Sequence, residues 1–229
     1  MSLILVTKFI LTTKKIIMSN YINSLSKKQK ENILTIIQVC INNGITNPKL
    51  IASILSVVSK ESGFNPKNED SYRGTANKDI RRIFGAWRTD KFSEADLTKL
   101  KQSDFDFFEA MYGIQNNKRL GLGQEKHGDG YLFRGRGFNG LTGRGNYKRY
   151  SKIIGVDIES NPELVNRLDV ALKILIAYFK NRIKANKLDI NNLGTDKNTL
   201  DSIYRFNAGI SLNKPITDTT GGYKKAVER

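Results

Sequence analysis

The chain has 229 residues, 39% of them hydrophobic and 26% charged, with 38 Lys and Arg against 22 Asp and Glu. That is enough for one sizeable core, and the ordinary balance excludes both a disordered polyelectrolyte and a membrane-filling protein. The formal net charge of +16 points to an acidic polymer or surface as partner: nucleic acid, an anionic membrane or an anionic cell wall. A single cysteine excludes an intrachain disulfide framework and any zinc site built on cysteines.

Residues 1–17 carry lysines at positions 8, 14 and 15, which interrupt every apolar stretch, so no uninterrupted span of transmembrane length occurs there. No signal-peptide pattern is evident. Met18 followed by Ser and Asn reads as an alternative start, with 1–17 an extension and 18–229 a single domain. Without the extension the net charge is still +13, since it removes three lysines and no acids.

Helix signals dominate the rest of the chain. Ser26-Lys-Lys-Gln29 has capping-box form and opens a helix through Ile33, Ile37 and Cys40, closed by Asn43-Gly44. Cys40 shares a stripe with Ile33, Ile36 and Ile37 and is expected to be an inert core residue. Asn47 and Pro48 cap and start a second helix. Along it Ile51, Ile54, Val58 and Glu61 fall at helical spacing, placing a carboxyl where a buried hydrophobe is expected, just before Gly63. Burial there would raise its pKa and make it a proton donor near neutral pH, which glycosidic cleavage requires.

The segment Lys67-Asn-Glu-Asp-Ser-Tyr-Arg-Gly-Thr75 is too rich in turn formers for a helix. Short helices are expected over Lys78–Phe84 and from Ser93 and Ser103. From Gly113 to Gly145 glycines recur and aromatics interleave with arginines, which reads as loops and short extended pieces whose backbone turns tightly or approaches something closely. Between Lys118 and Tyr150 eight Lys or Arg face two acids, with Tyr131, Phe133, Phe138 and Tyr147 among them. Such texture fits single-stranded nucleic acid, a sugar groove, or a solvated basic loop whose aromatics plug the core. His127, the only histidine, lies in this stretch and far from Cys40, which argues against a metal site or a Cys-His pair. Asn161-Pro-Glu163 is expected to cap a long apolar helix from Leu164 to about Ile183, and a last helix near 200–205 leads into Asn207-Ala-Gly209.

Glu61-Ser-Gly-Phe64, followed by Gly128-Asp-Gly-Tyr-Leu-Phe-Arg-Gly-Arg-Gly-Phe138 and Leu141-Thr-Gly-Arg-Gly-Asn-Tyr147, resembles glycoside hydrolase family 19, the chitinase-like group, in its bacteriophage endolysin and tail-lysozyme branch. The resemblance runs from about Ile51 to Gly209. It implies a mainly α, lysozyme-like (α+β) fold with two lobes, a central cleft and a small glycine-rich loop or β region. It further implies a hydrolase of peptidoglycan β-1,4 bonds acting by inversion, with endochitinase or a non-catalytic glycan-binding module as alternatives. Glu61 matches the family's general acid. Glu69 or Asp70 would be the base, with Glu69 the more natural match and Tyr72 its neighbouring tyrosine. Thr142 and Asn146 match residues that orient the attacking water and contact the sugar. Arg136, Tyr147 and Asn207 are further candidate substrate contacts, and Arg134 and Arg136 would also be charge-assisted partners of Glu61 or of backbone carbonyls. Asn139-Gly140 departs from the family's usual Ile-Gln, and so lacks the glutamine that bonds substrate. No cofactor or metal is implied. The partner would be bacterial peptidoglycan, not nucleic acid, with no stable membrane insertion, and the protein a monomer or part of a virion. Its expected location is the host cytoplasm before release to the wall, or a virion tail.

Overall fold

The computed structural model describes residues 23–185. These are mainly helical with one two-stranded sheet. Asn207, the 1–17 extension and the helix expected near 200–205 lie outside the described residues. Among the described residues no helix is long and apolar enough to cross a membrane. Chain contacts group them into two compact units, one comprising residues 23–65 and 178–185, the other Pro66–Ala177.

The first unit contains α1 (Lys27–Asn42) and α2 (Pro48–Ser62). The capping box is formed as expected: the Ser26 hydroxyl accepts from the Gln29 N–H, and the Gln29 side chain accepts from the Ser26 N–H. Asn47 caps α2 by accepting from the N–H groups of Lys49 and Leu50. Each such cap stabilises its helix by about 1 kcal/mol. Ile33, Ile36, Ile37 and Cys40 of α1 and Ile51, Ile54 and Val58 of α2 are buried, so both predicted stripes form core. Burial pushes the Cys40 thiol up to about 12, which keeps it protonated and inert.

The second unit contains β1 (Lys67–Asn68), α3 (Asn77–Phe84), α4 (Ala86–Thr89), α5 (Glu94–Leu100), α6 (Asp104–Tyr112), α7 (Asn117–Leu120), α8 (Asp129–Leu132), β2 (Arg136–Gly137) and α9 (Arg144–Ile154). Ser93 and Ser103 cap α5 and α6 as their sequences predict. Ile80, Phe84, Leu97, Phe107, Phe108 and Met111 form one buried cluster, against which Tyr72, Tyr112 and Tyr131 pack. β1 and β2 pair antiparallel, Lys67 opposite Gly137 and Asn68 opposite Arg136. Asn166 clamps both strands: its Nδ2 donates to Asn68 Oδ1 at 2.8 Å and its Oδ1 accepts from the Gly137 N–H at 3.1 Å.

Two expectations are corrected. The glycine-rich block does not stay looped to Gly145, because α9 begins at Arg144. Its glycines serve close approach: a Cβ on Gly143 would lie 2.7 Å from both Cβ and O of Leu122, and Gly145 donates its N–H to Leu122 O. Nor does Asn161 cap a helix from Leu164. Pro162–Asn166 forms a 3-10 turn without a side-chain cap, Arg167 is extended, and the long helix α10 runs Leu168–Ala185. The interruption positions Asn166 for its clamp on the strands.

Candidate active site

Glu69 follows β1 directly, and the strand pairing delivers it to Gly135. Its N–H donates to Gly135 O at 2.7 Å, and the Gly135 N–H donates back to Glu69 Oε2 at 3.2 Å. Glu69 Oε1 accepts from the phenols of Tyr72 and Tyr112, each at 3.0 Å. A Cβ at Gly135 would lie 3.0 Å from Glu69 Oε2, so any larger residue here would press on the carboxyl. The same Cβ position is 3.4 Å from Thr142 Oγ1, so the Gly135 backbone faces both the carboxyl and the Thr142 side chain. Three donors on one carboxylate make a preorganised seat of a kind a solvated turn residue does not have.

Burial pushes the Glu69 carboxyl above the ordinary carboxylate range. The hydrogen bonds from Tyr112, Tyr72 and Gly135 and the charge of Arg134 pull it back only in part. Both phenols are raised by burial and by Glu69, so each remains protonated and acts as a donor. Tyr72 is fixed by ring contacts to Phe84, Phe107 and Phe108 at 5.0, 5.1 and 6.1 Å. The Arg134 guanidinium lies 4.2 Å from the Tyr131 ring centre.

Glu61 is corrected on burial. It lies in the last turn of α2, in the first unit, with its side chain 42% exposed, 3.5 Å from Lys60 Nζ. The core stripe passes instead to Ser62, four residues after Val58 and eleven after Ile51, whose buried hydroxyl donates to Val58 O at 3.0 Å. Eleven residues are close to three full turns, so Ser62 lies under Ile51 while Glu61 is rotated to the stripe's edge. The turn after Glu61 is nonetheless held firmly. Gly63 closes the helix in the left-handed conformation and Phe64 follows at φ +64, a costly geometry for a residue with a side chain. Gln29 and Asn32 of α1 donate to the carbonyls of Gly63 and Phe64 at 2.9 and 2.8 Å.

The remaining candidates separate clearly. Asp70 is 78% exposed and pairs with Lys67, so Glu69 is the structured member of the pair. Asn146 donates to Thr142 O at 2.7 Å, and Thr142 to Gly140 O at 2.8 Å. Arg136 and Tyr147 are corrected: both are fully buried, which removes them from direct substrate contact. Arg136 donates to the carbonyls of Leu132 and Arg134 and to the Tyr147 hydroxyl, and its ion-pair partner is Glu163, not Glu61. Burial pushes the Tyr147 phenol up to about 12. Phe133 and Phe138 are fully buried core plugs.

Sequence reasoning missed Tyr112, the second phenol on Glu69; its four-residue spacing from Phe108 on α6 was the available signal. It also missed the pair of Asp129 with Arg144, which donates to both carboxylate oxygens at 2.6 and 2.7 Å. Burial would raise Asp129, but Arg144 and the N–H groups of Glu125 and Lys126 outweigh it and leave the carboxyl below its usual range. This pair ties α8 to the start of α9, framing the loop that carries Gly135 and Thr142. An open pocket of about 660 Å³ beside Phe92, Leu100, Asp106, Glu109 and His127 holds none of the predicted site residues.

The helical fold thus holds one sheltered carboxyl, Glu69, under three hydrogen-bond donors. A Haemophilus influenzae protein described as a glycosyl hydrolase family 19 domain-containing protein is 44% identical over 62 residues, 27% of this chain and 30% of that protein. The chain therefore matches less than a third of its relative's length, and the likeness points to the glycoside hydrolase class. No protein-family model matches the chain.

Proposed function

We propose that the chain is a peptidoglycan hydrolase of the phage endolysin or tail-lysozyme type, cleaving β-1,4 glycosidic bonds with inversion. The observation that carries this reading is the seat of Glu69, a carboxyl with three donors and a raised pKa. A carboxylate raised above its usual range is a stronger proton acceptor, which suits a general base that deprotonates a water. Thr142 is available to orient that water. Glu61 is the proposed proton donor, at a turn whose geometry is fixed by Gln29 and Asn32. Inversion asks for two carboxyls about 6.5–9.5 Å apart across the scissile bond. The net charge of +16 supports an anionic wall over neutral chitin.

The solvent exposure of Glu61 favours a second reading, a glycan-binding module without turnover. A zymogram decides between them. Wild type should clear a peptidoglycan gel more strongly than a chitin gel, and Glu69→Gln and Glu61→Gln should each leave no clearing while still folding. Equal clearing by wild type and Glu69→Gln would end the catalytic assignment, and retention of wall binding without clearing by wild type would establish the module.

A further inference from the structure

Trp87, the only tryptophan in the chain, sits on α4 and remains 37% exposed. Two guanidinium groups lie over its indole, Arg119 at 4.6 Å from the ring centre and Arg88 at 5.1 Å. Arg88 is half-buried and donates through Nε to Phe84 O at 2.6 Å. It also lies 5.9 Å from the ring of Tyr112, whose phenol holds Glu69. Arg88 therefore connects the indole to the Glu69 seat. Arg119 is exposed and has no hydrogen-bond or ion-pair acceptor among the described residues, and the terminal nitrogens of Arg88 have none either. Asp90, the acid nearest to them along the chain, pairs with Arg81 instead.

A guanidinium stacked on an indole is held flat, with its fork of N–H donors directed outward. That fork matches a carboxylate in two-point geometry. An exposed indole beside it offers an apolar surface to a sugar ring and an N–H donor. We propose that Trp87, Arg88 and Arg119 form a subsite for a carboxylate carried on a glycan, next to the sugar that reacts at Glu69. The proposal rests on the glycoside hydrolase reading and deepens it, since it assigns selection of anionic over neutral glycan to two named arginines. The carboxylate has two possible sources: the lactyl ether of a muramic-acid-type sugar, or a peptide attached to that sugar.

Because the chain has one tryptophan, its fluorescence reports this subsite alone. The full chain and Arg119→Gln are titrated with three tetrasaccharides: a muramic-acid-containing glycan with free lactyl carboxylates, the same glycan bearing peptides, and neutral chitotetraose. Wall lysis is measured alongside. Wild-type emission should change saturably with at least one carboxylated glycan, at an affinity at least about tenfold above that for chitotetraose. Arg119→Gln should weaken the carboxylated ligand about tenfold and leave chitotetraose unchanged, with Arg119→Lys recovering part of the loss. Binding of the peptide-free glycan assigns the lactyl group; binding of only the peptide-bearing one assigns the peptide. Equal affinity for chitotetraose and the carboxylated glycans, or an Arg119→Gln titration matching wild type, overturns the subsite. If lysis persists in that case, the hydrolase reading survives it; if no glycan binds and no wall is lysed, both fall together.

Discussion

Tyr112→Phe tests the electrostatics of Glu69 most directly, because it deletes one hydroxyl and keeps the ring. The Tyr112 phenol donates to Glu69 Oε1 at 3.0 Å, and this bond is the largest influence holding the carboxyl's pKa down against burial. A hydrogen bond to a charged acceptor is worth about 1.5–3 kcal/mol. It acts on the ionised form, so its loss should push the Glu69 carboxyl further above the ordinary carboxylate range. Partial exposure and the remaining bonds from Tyr72 and Gly135 limit the rise. If Glu69 is the base, the acid limb of the pH–rate profile for wall lysis should move to higher pH with the carboxyl, with little change on the alkaline side. Stability has a definite sign too. A carboxyl whose folded pKa lies above its unfolded value binds more protons when folded, so stability falls as pH rises from the unfolded value, near about 4.3, through the folded one. The variant should deepen that fall and differ least from wild type below the unfolded value. The measurements are ¹³C titration of the Glu69 carboxyl and a turbidity profile from pH 4 to 9. A Glu69 titration unmoved in the variant, or moved to lower pH, would refute the reasoning.

Arg136→Met should cost about 2–4 kcal/mol, read as a lowered Tm, because it strips hydrogen bonds from the buried Tyr147 hydroxyl and two carbonyls. Glycan affinity of the folded fraction, measured by fluorescence titration, should stay at the wild-type value; weakened affinity at full folding would return Arg136 to the substrate. Gly143→Ala should destabilise by at least about 2 kcal/mol, since φ is +90 and the new Cβ would lie 2.7 Å from Leu122 backbone oxygen, as read by urea unfolding.

The sequence by itself determined the helices whose signals are local. Ser26, Asn47, Ser93 and Ser103 cap where they stand because an N-cap needs only its own next three residues. The stripes of α1 and α2 were likewise legible, and with them the burial of Cys40. Tertiary structure decided which carboxyl is sheltered. Helical periodicity carried Glu61 to the edge of a stripe that Ser62 completes, and nothing local could show that the core ends one residue on. Glu69, in a polar turn, gains its environment from Tyr112 and Gly135, 43 and 66 residues away in the chain. The same applies to the glycine-rich block. Composition revealed that its backbone needed room, but only the packing of Leu122 against Gly143 and Gly145 showed that the room serves the start of a helix. A pKa depends on every donor and every withdrawn water within a few ångströms, and the chain assembles that neighbourhood only when it folds.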